Sequence, residues 1–260
     1  MNYWQGVLLG IVQGLTEFLP ISSSGHLVVA EAAIGLSTPG VVVEVVLHVA
    51  TLLAVLVVYW RRIAQLAVGG IRGDRTTWQD IGLLALASIP AGFAGYFLAD
   101  VFERAFDSLF AVGSDFMLTG VILWSTRWVK PAVSGRPSAA SAGGIGLAQA
   151  LAILPGISRS GTTIAAGMWA RIEPEKAAEF SFLLAIPAIA GAAVLQFSDL
   201  SASAEGIGWG PMAASFLAAL VSGVLAIRLL VMLLRTGRFH RFAPYCWGIG
   251  VVTIWWALIS

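Results

Sequence analysis

The chain has 260 residues, 58% of them hydrophobic and 11% charged, with a mean hydropathy of +0.87. A soluble domain runs near 25% charged, so 15 basic and 14 acidic side chains are too few to solvate a globule of this size. That excludes a soluble enzyme, a nucleic-acid binder and a disordered chain, and it leaves an all-α polytopic membrane protein. The net charge of +1 points to no polyanionic partner. The single cysteine, Cys246, excludes an internal disulfide and a multi-cysteine metal site.

No Lys or Arg precedes Arg61, so the N-terminus lacks the basic region of a cleavable signal. An apolar stretch over about 3–36 comes first, broken in its middle by PISSSGH at 20–26. Spans are predicted over 41–60, 81–99 and 110–128. A second broken stretch follows over about 143–170, interrupted by PGISRSG at 155–161, and then spans over 177–197, 211–234 and 243–259. A helix cannot run through a Pro-Ser-Gly cluster without losing backbone hydrogen bonds. At membrane depth that loss is tolerated only where the backbone is buried in protein or lines a wet cavity. Both broken stretches therefore read as re-entrant helical hairpins. The expected fold is six transmembrane helices plus two such hairpins in one integral membrane domain, residues 1–260.

The basic residues give this fold a direction. Arg61, Arg62, Arg72, Arg75, Arg127, Lys130, Arg136, Arg171, Lys176, Arg235, Arg238 and Arg241 all fall on one side, twelve of the 15. The other side keeps Arg104 with Asp100, Glu103, Asp107, Asp199 and Glu205. By the positive-inside rule the basic side is cytoplasmic.

The two broken stretches also resemble each other. Gly10-Ile-Val-Gln13 matches Gly146-Leu-Ala-Gln149, Leu19-Pro20 matches Leu154-Pro155, and Ile21-Ser-Ser-Ser-Gly25 matches Ile157-Ser-Arg-Ser-Gly161. This predicts an inverted-topology repeat, one copy over about 3–128 and the other over about 143–259. Such repeats place half-helix ends near the midplane, where N–H dipoles attract anions.

Ionisable groups at membrane depth are functional candidates. The first hairpin holds Glu17 and His26, with Gln13, Ser22, Ser23 and Ser24 nearby; the second holds Ser158, Arg159, Ser160, Thr162 and Thr163. A guanidinium presents a planar fork suited to phosphate oxygens. Hydroxyls and freed N–H groups around Gly25 and Gly161 can cradle the rest. An imidazole can act as base or nucleophile, and a carboxylate can orient it or hold a divalent cation. Arg159 could equally be a structural ion-pair partner for Glu17. Glu44 and His48, four residues apart on an apolar span, read as a buried polar pair rather than as catalysts.

GLTEFLPISSSGHLVV (14–29) and LPGISRSGTTIAAG (154–167) resemble the two signature motifs of the bacterial undecaprenyl pyrophosphate phosphatases, also known as bacitracin-resistance proteins. AAEFSFLLAIPAIAGA (177–192) is similar to the same family, and the likeness runs from about residue 6 to 258. The resemblance implies a multi-pass enzyme of the bacterial inner membrane, and the entry of the first hairpin from outside, opposite to that of the second, favours a site reached from the periplasmic side. It would cut undecaprenyl pyrophosphate to undecaprenyl phosphate and inorganic phosphate. That recycles the lipid carrier for cell-wall synthesis and gives bacitracin resistance, and a combined lipid-flipping role is open. The implied partners are the polyprenyl pyrophosphate and membrane lipids, with a homodimer as a further expectation. The implied cofactor is a divalent cation, magnesium or calcium, with Glu17 as its ligand.

The catalytic set carried over by the motifs is Glu17, Ser23, His26 and Arg159. The substrate-binding set is Gln13, Ser22, Ser24, Gly25, Ser158, Ser160, Gly161 and Thr163. Some family members carry Glu where this chain has Gln13, so Glu17 carries the acidic role alone. Three nucleophiles stay open: His26 oriented by Glu17, Ser23 activated by His26, and water activated by His26. A transporter without hydrolysis is a competing reading, because opposed hairpins are as typical of transporters as of enzymes. A membrane acid phosphatase needs a second His soon after the Arg, and the next one after Arg159 is His240.

Overall fold

The computed structural model describes residues 1–34, 40–130, 132, 134–195 and 208–259. The order is α1 (Tyr3–Phe18), α2 (Ser23–Ile34), α3 (Gly40–Val58), α4 (Trp60–Ile71), α5 (Arg75–Phe97), α6 (Ala99–Phe106), α7 (Leu109–Ser125), α8 (Ala139–Leu151), α9 (Arg159–Trp169), α10 (Pro174–Leu195), α11 (Trp209–Arg235) and α12 (Ala243–Ile259). Short 3₁₀ turns cover Thr126–Trp128 and Phe239–Phe242. Among the described residues the only β-pairing is an isolated bridge between Ser134 and Ile172. Five helices among the described residues are long and apolar enough to cross a membrane, or six if α3 and α4, which bend by 77° at Tyr59, form one span. The protein is an all-α polytopic membrane protein.

The six predicted spans correspond to α3, α5, α7, α10, α11 and α12, and the two broken stretches to α1–α2 and α8–α9. Residues 35–36 of the first stretch, 196–197 of the fourth span, and Asp199 and Glu205 lie outside the described residues. One expectation needs correction. The segment 61–80 is not a loop: α4 fills most of it and α5 starts at Arg75. Charge makes the segment look like a connection. Its apolar residues nevertheless share one helical side, and no residue of α4 is buried, as suits a helix lying along an interface. Asp74 caps α5, accepting from the Thr77 N–H at 2.8 Å and its hydroxyl at 2.6 Å. Those bonds hold the Asp74 carboxyl below its ordinary range.

Close packing in a membrane depends on small residues that let backbones approach. Gly6, Gly10 and Gly14 form such a seam on α1, and it lies against Pro211, Ser215, Ala219 and Ser222 of α11. A Cβ on Gly6 would come within 2.7 Å of the Pro211 carbonyl oxygen. Gly146 of α8 meets the backbone of Ala87 on α5, where a Cβ would lie 3.0 Å from the Ala87 Cα. So α1 packs on α11, α8 on α5, α7 on α12 and α3 on α10. The first helix of each hairpin is thus held by a span from the other half of the chain.

The two breaks meet inside this frame. In the first, Ser22 takes a left-handed φ of +70°; in the second, Gly156 takes φ +105°. The backbone groups freed at the breaks are satisfied within the protein. Ser22 Oγ accepts from the Gly156 N–H at 3.1 Å and Ser160 Oγ donates to the Leu19 carbonyl at 3.2 Å. Thr119 of α7 donates to the Gly156 carbonyl at 2.8 Å and accepts from the Ser158 N–H at 3.0 Å.

Candidate active site

Glu17 is the hub. It sits on the last turn of α1 and is buried. The Arg159 guanidinium donates through Nη2 to Glu17 Oε1 at 2.6 Å. Glu17 Oε2 accepts from the Ser23 hydroxyl at 2.6 Å and from the Gln13 amide at 3.1 Å, and His48 Nε2 lies 3.9 Å from it. A carboxylate has lone pairs for about four such partners. Arg159 is steadied by a second bond from Nη1 to the Ser181 carbonyl at 3.4 Å. Behind it, Thr163 donates to the Arg159 carbonyl at 2.7 Å and shares a hydrogen bond with the Ser181 hydroxyl at 2.6 Å.

These groups open onto a cavity of about 330 Å³. Its polar lining is Thr16, Glu17, Ser22, Ser23, Ser24, Glu44, His48, Ser158 and Arg159. Its apolar lining includes Val45, Phe106, Ile153, Ile157, Ala188 and Ile189. Two helices begin at this cavity. α2 starts at Ser23, and α9 starts at Arg159 with Ser158 as its N-cap. Helix N-termini carry partial positive charge and free N–H groups, a setting for anions. The guanidinium has five donors, and the protein's bonds to Glu17 and Ser181 engage two of its nitrogens. An anionic head with an apolar tail fits this mixed lining.

Of the predicted catalytic residues, Glu17, Ser23 and Arg159 come together here. His26 does not line the cavity. Its Nδ1 lies 2.6 Å from the Ser22 carbonyl oxygen and its Nε2 2.8 Å from the Tyr245 hydroxyl, on which the ring stacks. A carbonyl only accepts, so Nδ1 carries the hydrogen and Tyr245 donates to Nε2 of the neutral ring. Both ring nitrogens are therefore engaged, and Glu17 bonds Arg159 and Ser23 instead. The expected orientation of His26 by Glu17 is absent from this arrangement.

The predicted binding residues divide in the same way. Ser22, Ser24 and Ser158 line the cavity. Gln13 stands behind Glu17, and Gly25 is pressed against Gly156, where a Cβ would lie 2.9 Å from the Gly156 Cα. Ser160 and Thr163 are buried bonding partners of Leu19, Arg159 and Ser181, and the Gly161 N–H is taken by Ser158 Oγ at 3.1 Å. These residues build the breaks and do not face the cavity. Sequence reasoning passed over Thr119, Ser181 and Tyr245; the signal for them was a lone polar side chain on an apolar helix. His48 was noticed, but as a partner of the Glu44 side chain. Its Nδ1 bonds the Glu44 carbonyl at 2.8 Å, and its Nε2 points to Glu17.

A cation held by Glu17 meets an obstacle in this geometry. Oε1 faces a guanidinium and Oε2 is taken by Ser23 and Gln13. Among the described residues no group of three or more His, Cys, Asp or Glu side chains is placed to hold a metal ion. The side chains present do not form a ligand set for magnesium or calcium.

Residues 6–252 match the family described as bacitracin resistance protein BacA. The chain belongs to that family. It is 40% identical over 273 residues to a protein of Desulforapulum autotrophicum named undecaprenyl-diphosphatase, covering 98% of each chain. It is 42% identical over 268 residues to one of the same name from Desulfosudis oleivorans, covering 96% of this chain and 97% of the relative. A third relative of that name, from Carboxydothermus hydrogenoformans, is 39% identical over 263 residues, with 98% and 97% covered. This BacA-family protein is similar to phosphatases along its whole length, not only at the two motifs.

Proposed function

We propose that this protein hydrolyses undecaprenyl pyrophosphate to undecaprenyl phosphate and inorganic phosphate. The observation that carries this reading is the ion-paired Glu17–Arg159 couple with Ser23 on the same carboxylate, set at two helix N-termini in a cavity lined by both polar and apolar side chains. The pyrophosphate head lies against the polar lining, where Arg159, Ser158, Ser24 and the N-termini of α2 and α9 offset its charge. The first prenyl units lie along Val45, Ala188 and Ile189, and the rest of the chain runs into the bilayer.

Ser23 is the nucleophile that the geometry favours. Its hydroxyl is hydrogen-bonded at 2.6 Å to Glu17 Oε2, so the carboxylate is in place to take the proton as Oγ attacks the terminal phosphorus. Arg159 and the helix termini stabilise the developing charge. His26 holds the first break in shape through the Ser22 carbonyl. A divalent cation would supply charge neutralisation on the pyrophosphate, with no side chain of this site assigned to hold it.

The cavity draws on Glu44, Val45 and His48 of α3 and on Ala188–Ala193 of α10, whereas Tyr59 and Lys176–Leu183 of the same helices line a second cavity beside the basic loops. The active cavity therefore lies toward the end away from the basic face. With the basic face cytoplasmic, substrate enters from the periplasmic side of the inner membrane. The exchange of packing partners between α1–α11 and α8–α5 supports the inverted repeat over 3–128 and 143–259 within one domain. Recycling of the carrier and bacitracin resistance follow from the activity in a cell, and α5, the least buried span, is the surface for a homodimer.

Lipid flipping is a second reading, favoured by the second cavity of about 490 Å³ on the basic face. Phosphate release by purified protein from polyprenyl pyrophosphates of several lengths, with and without chelator, tests the enzyme. Transbilayer lipid movement without phosphate release would overturn it in favour of a carrier.

A further inference from the structure

The Glu17 cluster contains one proton-carrying group that the mechanism above leaves idle. His48 stands on α3, one end of its ring fixed by the bond from Nδ1 to the Glu44 carbonyl at 2.8 Å. Because a carbonyl cannot donate, Nδ1 carries the hydrogen, which leaves Nε2 as the ring nitrogen that can take a proton. That nitrogen lies 3.9 Å from Glu17 Oε2, the oxygen that also holds Ser23. His48 lines the same cavity, and 28% of its side chain is exposed. The other neighbours of Glu17 cannot do its work. The amide of Gln13, 3.1 Å away, takes no proton, and the guanidinium of Arg159 does not release one.

The geometry points to His48 as the general base of the second half of the reaction. The inference rests on Ser23 being the nucleophile. In the first half the Oγ–P bond forms, the Ser23 proton passes to Glu17, and the bond from the terminal phosphorus to the bridging oxygen breaks. The electron pair leaves on the lipid monophosphate. In the second half a water placed between Nε2 and the phosphoserine gives its proton to His48 as its oxygen bonds phosphorus. The P–Oγ bond breaks, Glu17 returns its proton to Ser23, and His48 passes its own to the departing phosphate. Water is the only co-reactant.

The two halves can be read separately in purified protein, using a polyprenyl pyrophosphate labelled with ³²P in the terminal phosphate. His48→Gln keeps the size and the hydrogen bonding of the side chain and removes the base. Its first-turnover burst of lipid monophosphate should equal wild type. Steady-state phosphate release should fall about a hundredfold, within the range typical of a general base, and labelled protein should accumulate. Wild-type turnover in His48→Gln, or loss of its burst along with its turnover, would overturn the role given to His48. Absence of labelled Ser23 in every variant, wild type included, would instead remove the Ser23 nucleophile and this inference with it.

Discussion

Two clusters of charged side chains join elements far apart in the sequence, and they differ in everything but composition. On the basic face, Arg62 bridges Asp80 at 2.8 Å and Glu179 at 2.9 Å, Arg136 meets Asp80 at 2.7 Å, and Lys176 meets Glu179 at 3.0 Å. These pairs bring together residues from four separated parts of the sequence around a cavity of about 490 Å³, the larger of the two. Yet Arg62, Arg136 and Lys176 are 34%, 41% and 49% exposed, and each acid is shared between two cations. Water screens such pairs, so they hold elements in place at small net gain. The Glu17–Arg159 pair is the opposite case, 7% and 15% exposed. A buried pair must satisfy its remaining lone pairs and hydrogens locally. Gln13, Ser23 and Ser181 do so while leaving part of the guanidinium facing an anion-sized space. Size of cavity and number of charges do not mark the site; desolvation of a few of them does.

The sharpest way to break this contrast is to remove the reacting groups. Ser23→Ala should lower phosphate release by about 10⁴-fold or more, as loss of a nucleophile does, and should abolish any phosphoenzyme. His26→Ala should fall by only about tenfold if its role is to hold Ser22, a smaller loss than a nucleophile or base would give. A His26→Ala loss equal to that of Ser23→Ala would restore an imidazole-based attack. Arg159→Ala should cost about 10³-fold, in the range seen for a charge-stabilising arginine. Arg159→Lys should recover only part of it, since the planar fork is lost. Full activity of the lysine variant, folded by circular dichroism, would show that a point charge suffices.

A smaller effect should appear in stability. Gly156→Ala places a Cβ 2.7 Å from that of Asp115 at a φ of +105°. Thermal unfolding in detergent should show a loss of about 1–3 kcal/mol, the usual range for backbone strain of this kind. Least should come from the basic face. Asp80→Ala should change stability by about 0.5 kcal/mol per pair and phosphate release less than twofold. A large drop in phosphate release there would join the two clusters into one machine and undo the comparison.

Hydropathy and positional logic made much of the fold legible. The six spans were visible as apolar runs, and the two breaks as Pro-Ser-Gly clusters that no helix can cross. The break residues Ser22, Gly156 and Ser160 were legible as a group, but not their division of labour, because both hydroxyl and glycine serve equally well for binding a ligand and for mending a backbone. α4 was missed because charge density reads as loop when the helix lies along a surface instead of crossing. His48 was seen and assigned to the wrong neighbour, since spacing along α3 reports Glu44 and says nothing of α1.

By itself the sequence determined that this is a membrane protein with two broken hairpins carrying Glu17, Ser23 and Arg159. Those facts depend on local composition and on the backbone chemistry of proline, serine and glycine. Only the tertiary structure decided that the breaks touch, that Arg159 pairs with Glu17 across 142 positions of sequence at 2.6 Å, and that His48 faces them while His26 turns to Tyr245. Contacts of that range are set by the glycine seam between α1 and α11 and the close approach at Gly146 between α8 and α5, and no periodicity within one helix can reveal which other helix will fill its groove.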